Sequence, residues 1–454
     1  MDRGVSRRSL APGDSSLAKA LAEALQVTIV GGAPNGATPP SEVIQDEKGE
    51  VIAGTVDQLI AHFINHAQDQ NFLRQIILAK EQFTTPFEFL VYLVDLFDDA
   101  QEDFDDASER TQYRIRIVNI LKKWFTTAPL DFKDERLSEK LQKFLSGLTS
   151  NPDTAAWSNL LTVSWRASID SASIALSVAV GEYEHENAPA SLMSSSLKKA
   201  SEAYRKDPTS KIWKALNLED IPLEEVARQW ALIDYNLFRK IPFWELLSKR
   251  WENENLSPHV TAVNERFNRV TRWVGTRIVQ EFTAKKRAKA LTFIICLAEK
   301  LVALRNYFGA MAIIFGISQS AISRLTSTWA KLSSSTIEKW KHLEAIGNPT
   351  SNFKVLRALQ EAAVVPMVLA PTLLFRDMFF IEEGNEDWHD QSLRLINWEK
   401  VKLIGRIFSN MQRCNDVPYP YKHIPVLKKH LTRLYNLPDE EIEKASLIVE
   451  PHDN

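Results

Sequence analysis

The chain has 454 residues, more than one hydrophobic core of about 250–300 residues accommodates, so two domains are expected. Glycine contributes only 15 of them, under half the usual share of about 7%, and sheets with tight hairpins need glycine at positive φ, so composition favours an all-α fold. The formal net charge of −3 lacks the Lys/Arg excess that displaces counterions from phosphate backbones, which excludes a nucleic-acid binder.

Residues 1–48 mix Gly, Pro, Ser and charge and read as loosely ordered, with one short amphipathic stretch at Leu17–Val27. The start, MDRGVSRRSLAPGDSS, has no apolar core of a signal peptide, and Asp2 stands where N-myristoylation requires glycine. Val27–Val30 followed by Gly31 and Gly36-Ala37-Thr38 has the outline of a phosphate loop. Ala37 replaces the required lysine and Pro39-Pro40 interrupts the helix that should follow, so that reading fails.

Residues 49–150 read as a helical domain. Thr55 is a candidate N-cap before the stripe Leu59, Ile60, Phe63, Ile64. Thr84-Thr85-Pro86 marks a second helix start, continued at helical spacing from Phe87 to Phe97. Asp98–Glu109 is strongly acidic, lacks the glycine of a calcium loop, and reads as a solvated loop. Arg114 to Phe125 is a further amphipathic helix. The pattern weakens from residue 133, and 151–215 reads as a partly helical connector interrupted by Asn187-Ala188-Pro189 and Ser194-Ser195-Ser196.

Residues 216–454 carry the densest helical pattern. Pro222-Leu223-Glu224-Glu225 opens a helix reaching Leu237 and Phe238. Leu291–Ile317 is apolar on most sides, which places it at the centre of a large core. Ala362–Phe375 is the longest near-apolar run, but it holds two prolines and is too short to span a bilayer. The end, VEPHDN, is no prenylation box.

Covalent chemistry finds no foothold. The sequence has no G-x-S-x-G, H-E-x-x-H or C-x-x-C. His62 and His66 lie one helical turn apart without a third ligand, and Cys296 and Cys414 make no disulfide framework, so no metal or cofactor is expected and a reducing compartment fits. A function through binding geometry is therefore expected.

Several segments, in order, resemble the Ras guanine-nucleotide exchange factor family. Val51-Ile52-Ala53-Gly54-Thr55, Phe83-Thr84-Thr85-Pro86 and Arg116–Leu121 are similar to its N-terminal Ras-exchanger motif. Asp220-Ile221-Pro222-Leu223-Glu224, Glu265-Arg266-Phe267-Asn268, Ala321-Ile322-Ser323-Arg324-Leu325, Glu382-Glu383-Gly384-Asn385 and Ile396-Asn397-Trp398-Glu399-Lys400 are similar to its catalytic domain. The resemblance implies an all-α protein in which a helical Ras-exchanger-motif domain packs on a larger all-helical exchange domain with a protruding helical hairpin. It implies an exchange factor that binds a Ras-family small GTPase, GDP-bound and nucleotide-free, and wedges that hairpin into the first switch and nucleotide site. The alternative is a scaffold of the same fold that binds a GTPase without promoting exchange.

The same resemblance assigns roles to residues. Phe379 would obstruct the Mg²⁺ site and Glu383 the α-phosphate site; as i and i+4 they share one helical face. Trp251, Met311, Ser318, Arg376, Asp377, Phe380 and Asn385 would contact the GTPase, and Asn397 and Lys400 would support the hairpin. Read without the family, Phe379, Trp251 and Met311 are ordinary core residues, Asp377 is a local cap, and Lys400, Lys402 and Arg406 form a solvated basic face. Arg376 stands where many members carry Ser or Thr, and Ser318 replaces a common Asn. The implied setting is cytoplasmic, with recruitment to the inner face of the plasma membrane only through a lipidated GTPase or a recruiting partner.

Overall fold

The computed structural model describes residues 40, 42–67, 70–180, 194–208 and 216–451, with backbone alone over 171–180. The amphipathic stretch Leu17–Val27 and the Gly31–Thr38 loop lie outside the described residues.

Side-chain capping sets the first helix starts. After strands β1 (Ile44–Gln45) and β2 (Val51–Gly54), Thr55 accepts from the Gln58 amide while Gln58 Oε1 accepts from Thr55 N, which opens α1 (Val56–Asn65). Helix α2 (Gln70–Ala79) follows. Thr85 and Glu88 repeat the reciprocal cap, with Pro86 in the first turn, at the start of α3 (Pro86–Asp103). The acidic stretch is not a loop. Helix α3 runs on to Asp103 and α4 (Ala107–Thr127) begins after the Asp106 cap, because Ala100 fills the core side while the acids face solvent.

Helix α5 (Glu135–Ser150) packs on α3, and α6 (Ala155–Val180) packs on α4 and α5; Leu161 and Trp165 of α6 enter the same core as Trp124. The first half of the segment read as a connector is thus a long helix laid on the N-terminal domain. Its period is hard to read because its apolar residues are spread around the helix and interspersed with small Ala and Ser.

The larger domain follows α7 (Ser195–Lys206), with α8 (Leu223–Phe238), α9 (Pro258–Val279), α10 (Ala284–Ala303), α11 (Tyr307–Ser318), α12 (Ser334–Gly347), α13 (Lys354–Ala362), α14 (Pro371–Gly384), α15 (Trp398–Asp416), α16 (Pro425–Thr432) and α17 (Asp439–Val449). The apolar run 291–317 is two helices, α10 and α11, broken at Arg305, whose φ is +59°. A buried polar network fixes the break. Asn306 caps α11 by accepting from Gly309 N and donates to Asp234 Oδ2 at 2.8 Å, and Arg266 donates to Asp234 Oδ1 at 3.1 Å. Burial pushes the Asp234 carboxyl up, opposed chiefly by the Arg266 charge. Helix α11, buried over nearly its whole circumference, packs between α9 and α10.

The two domains join along the return arm of the hairpin. Helix α15 lies on α2, and strands β3 (Trp388–Asp390) and β4 (Leu395–Asn397) of the hairpin connection complete a four-stranded sheet in the order β1-β2-β4-β3. The β2–β4 pair is antiparallel, Ala53 opposite Asn397 and Gly54 opposite Ile396. The all-α fold therefore carries one small sheet, made of strands of two to four residues, too short for period-2 alternation to stand out.

Gly405 permits the close approach of α15 to α2. A Cβ there would lie 2.8 Å from the Gln75 carbonyl oxygen and 2.9 Å from Gln75 Cβ. Gly405→Ala should force the helices apart at a cost of about 1–3 kcal/mol, against about 1 kcal/mol gained in helix propensity. A net loss of about 1 kcal/mol in denaturant unfolding is expected, and an unchanged or raised midpoint would argue against this packing.

Candidate functional site

Helix α14 changes character along its length. Its first turns bury Pro371, Leu373, Leu374 and Met378 in the core, whereas Phe379 and Phe380 are 42% and 55% exposed. Phenylalanine on water without a covering group is unfavourable by about 1.5–3 kcal/mol relative to burial. Two adjacent ones, with rings edge-to-face at 5.8 Å, form a small apolar step on an otherwise polar surface. One turn on, Glu383 is exposed on the Phe379 face.

The hairpin end is held by charge. Glu382, whose side chain is 5% exposed, accepts from Lys400 Nζ at 2.5 Å, and Asp387 accepts from the same ammonium at 2.6 Å. Burial alone would lower the Lys400 pKa, but Asp387 and Glu382 raise it above the ordinary lysine range. Asn397 caps α15 by accepting from Lys400 N and donates to Glu386 O at 3.0 Å, which ties the connection to the return arm. The solvated-face reading is therefore wrong for Lys400, which is 3% exposed. Lys402 pairs with Glu399, and Arg406 alone of the three is exposed.

The end of α14 also meets a loop. Ser248 N donates to Glu382 Oε1 at 2.9 Å, and Lys249 Nζ pairs with Glu383 Oε1. Trp251 sits two residues further on, half-buried against the core that includes Met378 and Trp398. Phe379, Phe380 and Glu383 thus share the end of α14, and Trp251 follows two residues after the Lys249 that pairs with Glu383.

The remaining candidates divide. Asp377 is held by both guanidinium arms of Arg357, at 2.5 and 2.8 Å. Arg376 lies over the rings of Phe380 at 5.2 Å and Phe353 at 5.8 Å, so a positive charge borders the apolar step. Asn385 donates to Ile381 O and closes the α14 C-terminus. Ser318 is exposed at the end of α11. Met311 has no exposed surface and lies in the core, because α11 is packed between α9 and α10. Sequence reading missed Lys249, Glu382, Asp387 and Arg357. Each acts through a partner 13 to 134 residues away, and no local spacing announces such pairs.

The return arm is anchored in the N-terminal domain. Trp398, 1% exposed, lies in a cluster with Phe63, Phe83 and Phe72, at ring separations of 5.0, 5.7 and 6.5 Å. Arg74 pairs with Asp416 at the far end of α15.

Comparison with known proteins gives a consistent pattern. Residues 225–402 match the RasGEF domain and residues 50–144 match the RasGEF N-terminal motif. The chain is 28% identical over 404 residues to Ras guanine nucleotide exchange factor A of Dictyostelium discoideum, covering 86% of this chain and 62% of that protein. It is 32% identical over 240 residues to Ras guanine nucleotide exchange factor P of the same organism, covering 52% and 16%. Against Ras-specific guanine nucleotide-releasing factor 1 of Mus musculus it is 26% identical over 341 residues, covering 74% and 25%. The chain therefore spans less than two thirds of each of these relatives.

Proposed function

This chain belongs to the Ras guanine-nucleotide exchange factor family, and from that premise we propose that it binds a Ras-family small GTPase and accelerates GDP release by inserting the exposed end of α14 into the nucleotide site. The observation that carries the reading is the exposure of Phe379 and Glu383 on one face of a helix whose root and flanks are fixed.

The task is thermodynamic. A nucleotide held at picomolar affinity is bound by about 16 kcal/mol, and an exchanger must offset much of this by favouring the empty GTPase. An apolar ring at the cation site excludes the water that Mg²⁺ coordination needs, and a carboxylate near the α-phosphate repels it while accepting from donors the phosphate leaves behind. Nothing is made or broken covalently. The coupling is reciprocal, so incoming nucleotide expels the exchanger with the same free energy. A rigid wedge suits this, because a flexible one would lose its binding energy to ordering.

No helix among the described residues is long and apolar enough to cross a membrane. In this proposal the membrane is reached through a lipidated GTPase or a recruiting partner.

Labelled-GDP release from a panel of purified Ras, Rap and Ral proteins tests the reading. At least one member should release GDP faster in proportion to added exchanger. Binding to nucleotide-free GTPase without faster release would select the scaffold instead, and failure of both across the panel would overturn the proposal.

A further inference from the structure

We propose that Lys249 is a positioning residue for exchange, holding the Glu383 carboxylate in the orientation in which the hairpin presents it. This rests on the role given to Glu383 in the proposed function.

Two adjacent loop residues grip two adjacent carboxylates. Ser248 donates its backbone N–H to Glu382, and Lys249 pairs its ammonium with Glu383. Glu382 is also held by Lys400, so its side chain is fixed whatever Lys249 does. Among the described contacts, Lys249 is the one charged partner recorded for Glu383. That hydrogen bond is the leading cause of a raised Lys249 pKa, as expected for an ammonium paired with a carboxylate.

The loop that offers Lys249 is built for that placement. Ser248 and Lys249 both have left-handed backbones, φ +52° and +56°, a region that L residues with a Cβ avoid and that persists only where the surroundings enforce it. Enforcement comes from both sides. Ser248 is tied to the hairpin, and Arg250 donates to Trp244 O at 3.1 Å with its guanidinium 6.0 Å from the Trp244 ring. Lys249 is the loop's contact with the exposed carboxylate.

Both partners are partly exposed, with side chains 38% and 48% accessible, so a docking GTPase can reach the pair. A glutamate freed of its partner regains rotamer freedom that must be removed again at each encounter.

The experiment compares GDP release by wild type, Lys249→Ala and Lys249→Arg, each with and without Glu383→Ala. Exposed ion pairs are modest, so Lys249→Ala should lower kcat two- to fivefold with KM unchanged. Lys249→Arg should restore the rate to within about twofold, and Lys249→Ala should add nothing in the Glu383→Ala background. An unchanged or faster Lys249→Ala variant, or its full loss repeated in the Glu383→Ala background, would overturn the proposal. A wild type inactive across the GTPase panel would instead sink the reading beneath it. The pair is then still read by the Glu383 side-chain carboxyl ¹³C resonance, which should move in Lys249→Ala and which, left unmoved, would refute the contact itself.

Discussion

Replacing Phe379 and Glu383 together by alanine should abolish accelerated GDP release and leave the protein folded. Phe379 is 42% exposed and Glu383 is exposed at the last turn of α14, so neither substitution opens a cavity and stability should change by no more than about 0.5 kcal/mol. The effect on exchange is of another size. Covering the 42% of the Phe379 ring that is still exposed contributes about 0.6–1.3 kcal/mol, which is about 3- to 8-fold in rate for Phe379→Ala alone if the contact forms only as nucleotide leaves. In the proposed mechanism Glu383→Ala also removes the charge that opposes the phosphate. Since both residues would then act on one nucleotide site, the double variant should fall to the spontaneous rate without the effects adding fully. The check is stopped-flow release of labelled GDP beside a thermal melt. Full activity in a well-folded double variant would remove these residues from the mechanism and leave the wedge without its apolar step.

Legibility followed the range of the interactions. The Thr55 and Thr85 helix starts were readable because each cap closes within three residues. The exposed face of Phe379 and Glu383 follows from helical period once the helix is granted. The contrast within Glu382-Glu383 was not readable, since one carboxylate is buried by Lys400 and the other faces solvent, and that division is set by tertiary placement alone. Lys400 itself looked like part of a basic stripe with Lys402 and Arg406. Burial of its ammonium depends on Asp387 from the connection and Glu382 from the other arm. The run 291–317 looked continuous because hydrophobicity does not register a break that Asn306 and Asp234 impose by hydrogen bonding. Met311 was open to a core and to a contact reading, and its enclosure is set by the helices packed around α11, not by local spacing. The short sheet joining β2 to β4 spans more than 340 residues of chain between partners such as Ala53 and Asn397, and its strands are too brief to declare themselves.

Trp398→Ala should disable the hairpin from its root. Trp398 is the first residue of α15 and directly follows Asn397, whose backbone pairs with Ala53. Its ring sits against Phe63, Phe72 and Phe83 of the N-terminal domain, and two residues later Lys400 holds Glu382 and Asp387. Truncating a buried tryptophan costs about 3–5 kcal/mol through lost transfer energy and the cavity left behind. Here that cost falls where the N-terminal domain, the sheet and the return arm meet. The unfolding midpoint should drop, and exchange should fall about tenfold or more at temperatures well below that midpoint, because a return arm released from its anchor no longer fixes α14 against the loop at Ser248. Trp398→Phe keeps an aromatic ring in the cluster and should recover most of both quantities, which separates loss of anchoring from general unfolding. If Trp398→Ala is destabilised yet exchanges at the wild-type rate while still folded, the N-terminal domain contributes stability alone, and the wedge draws its rigidity entirely from the ion pairs of Lys400 and Lys249.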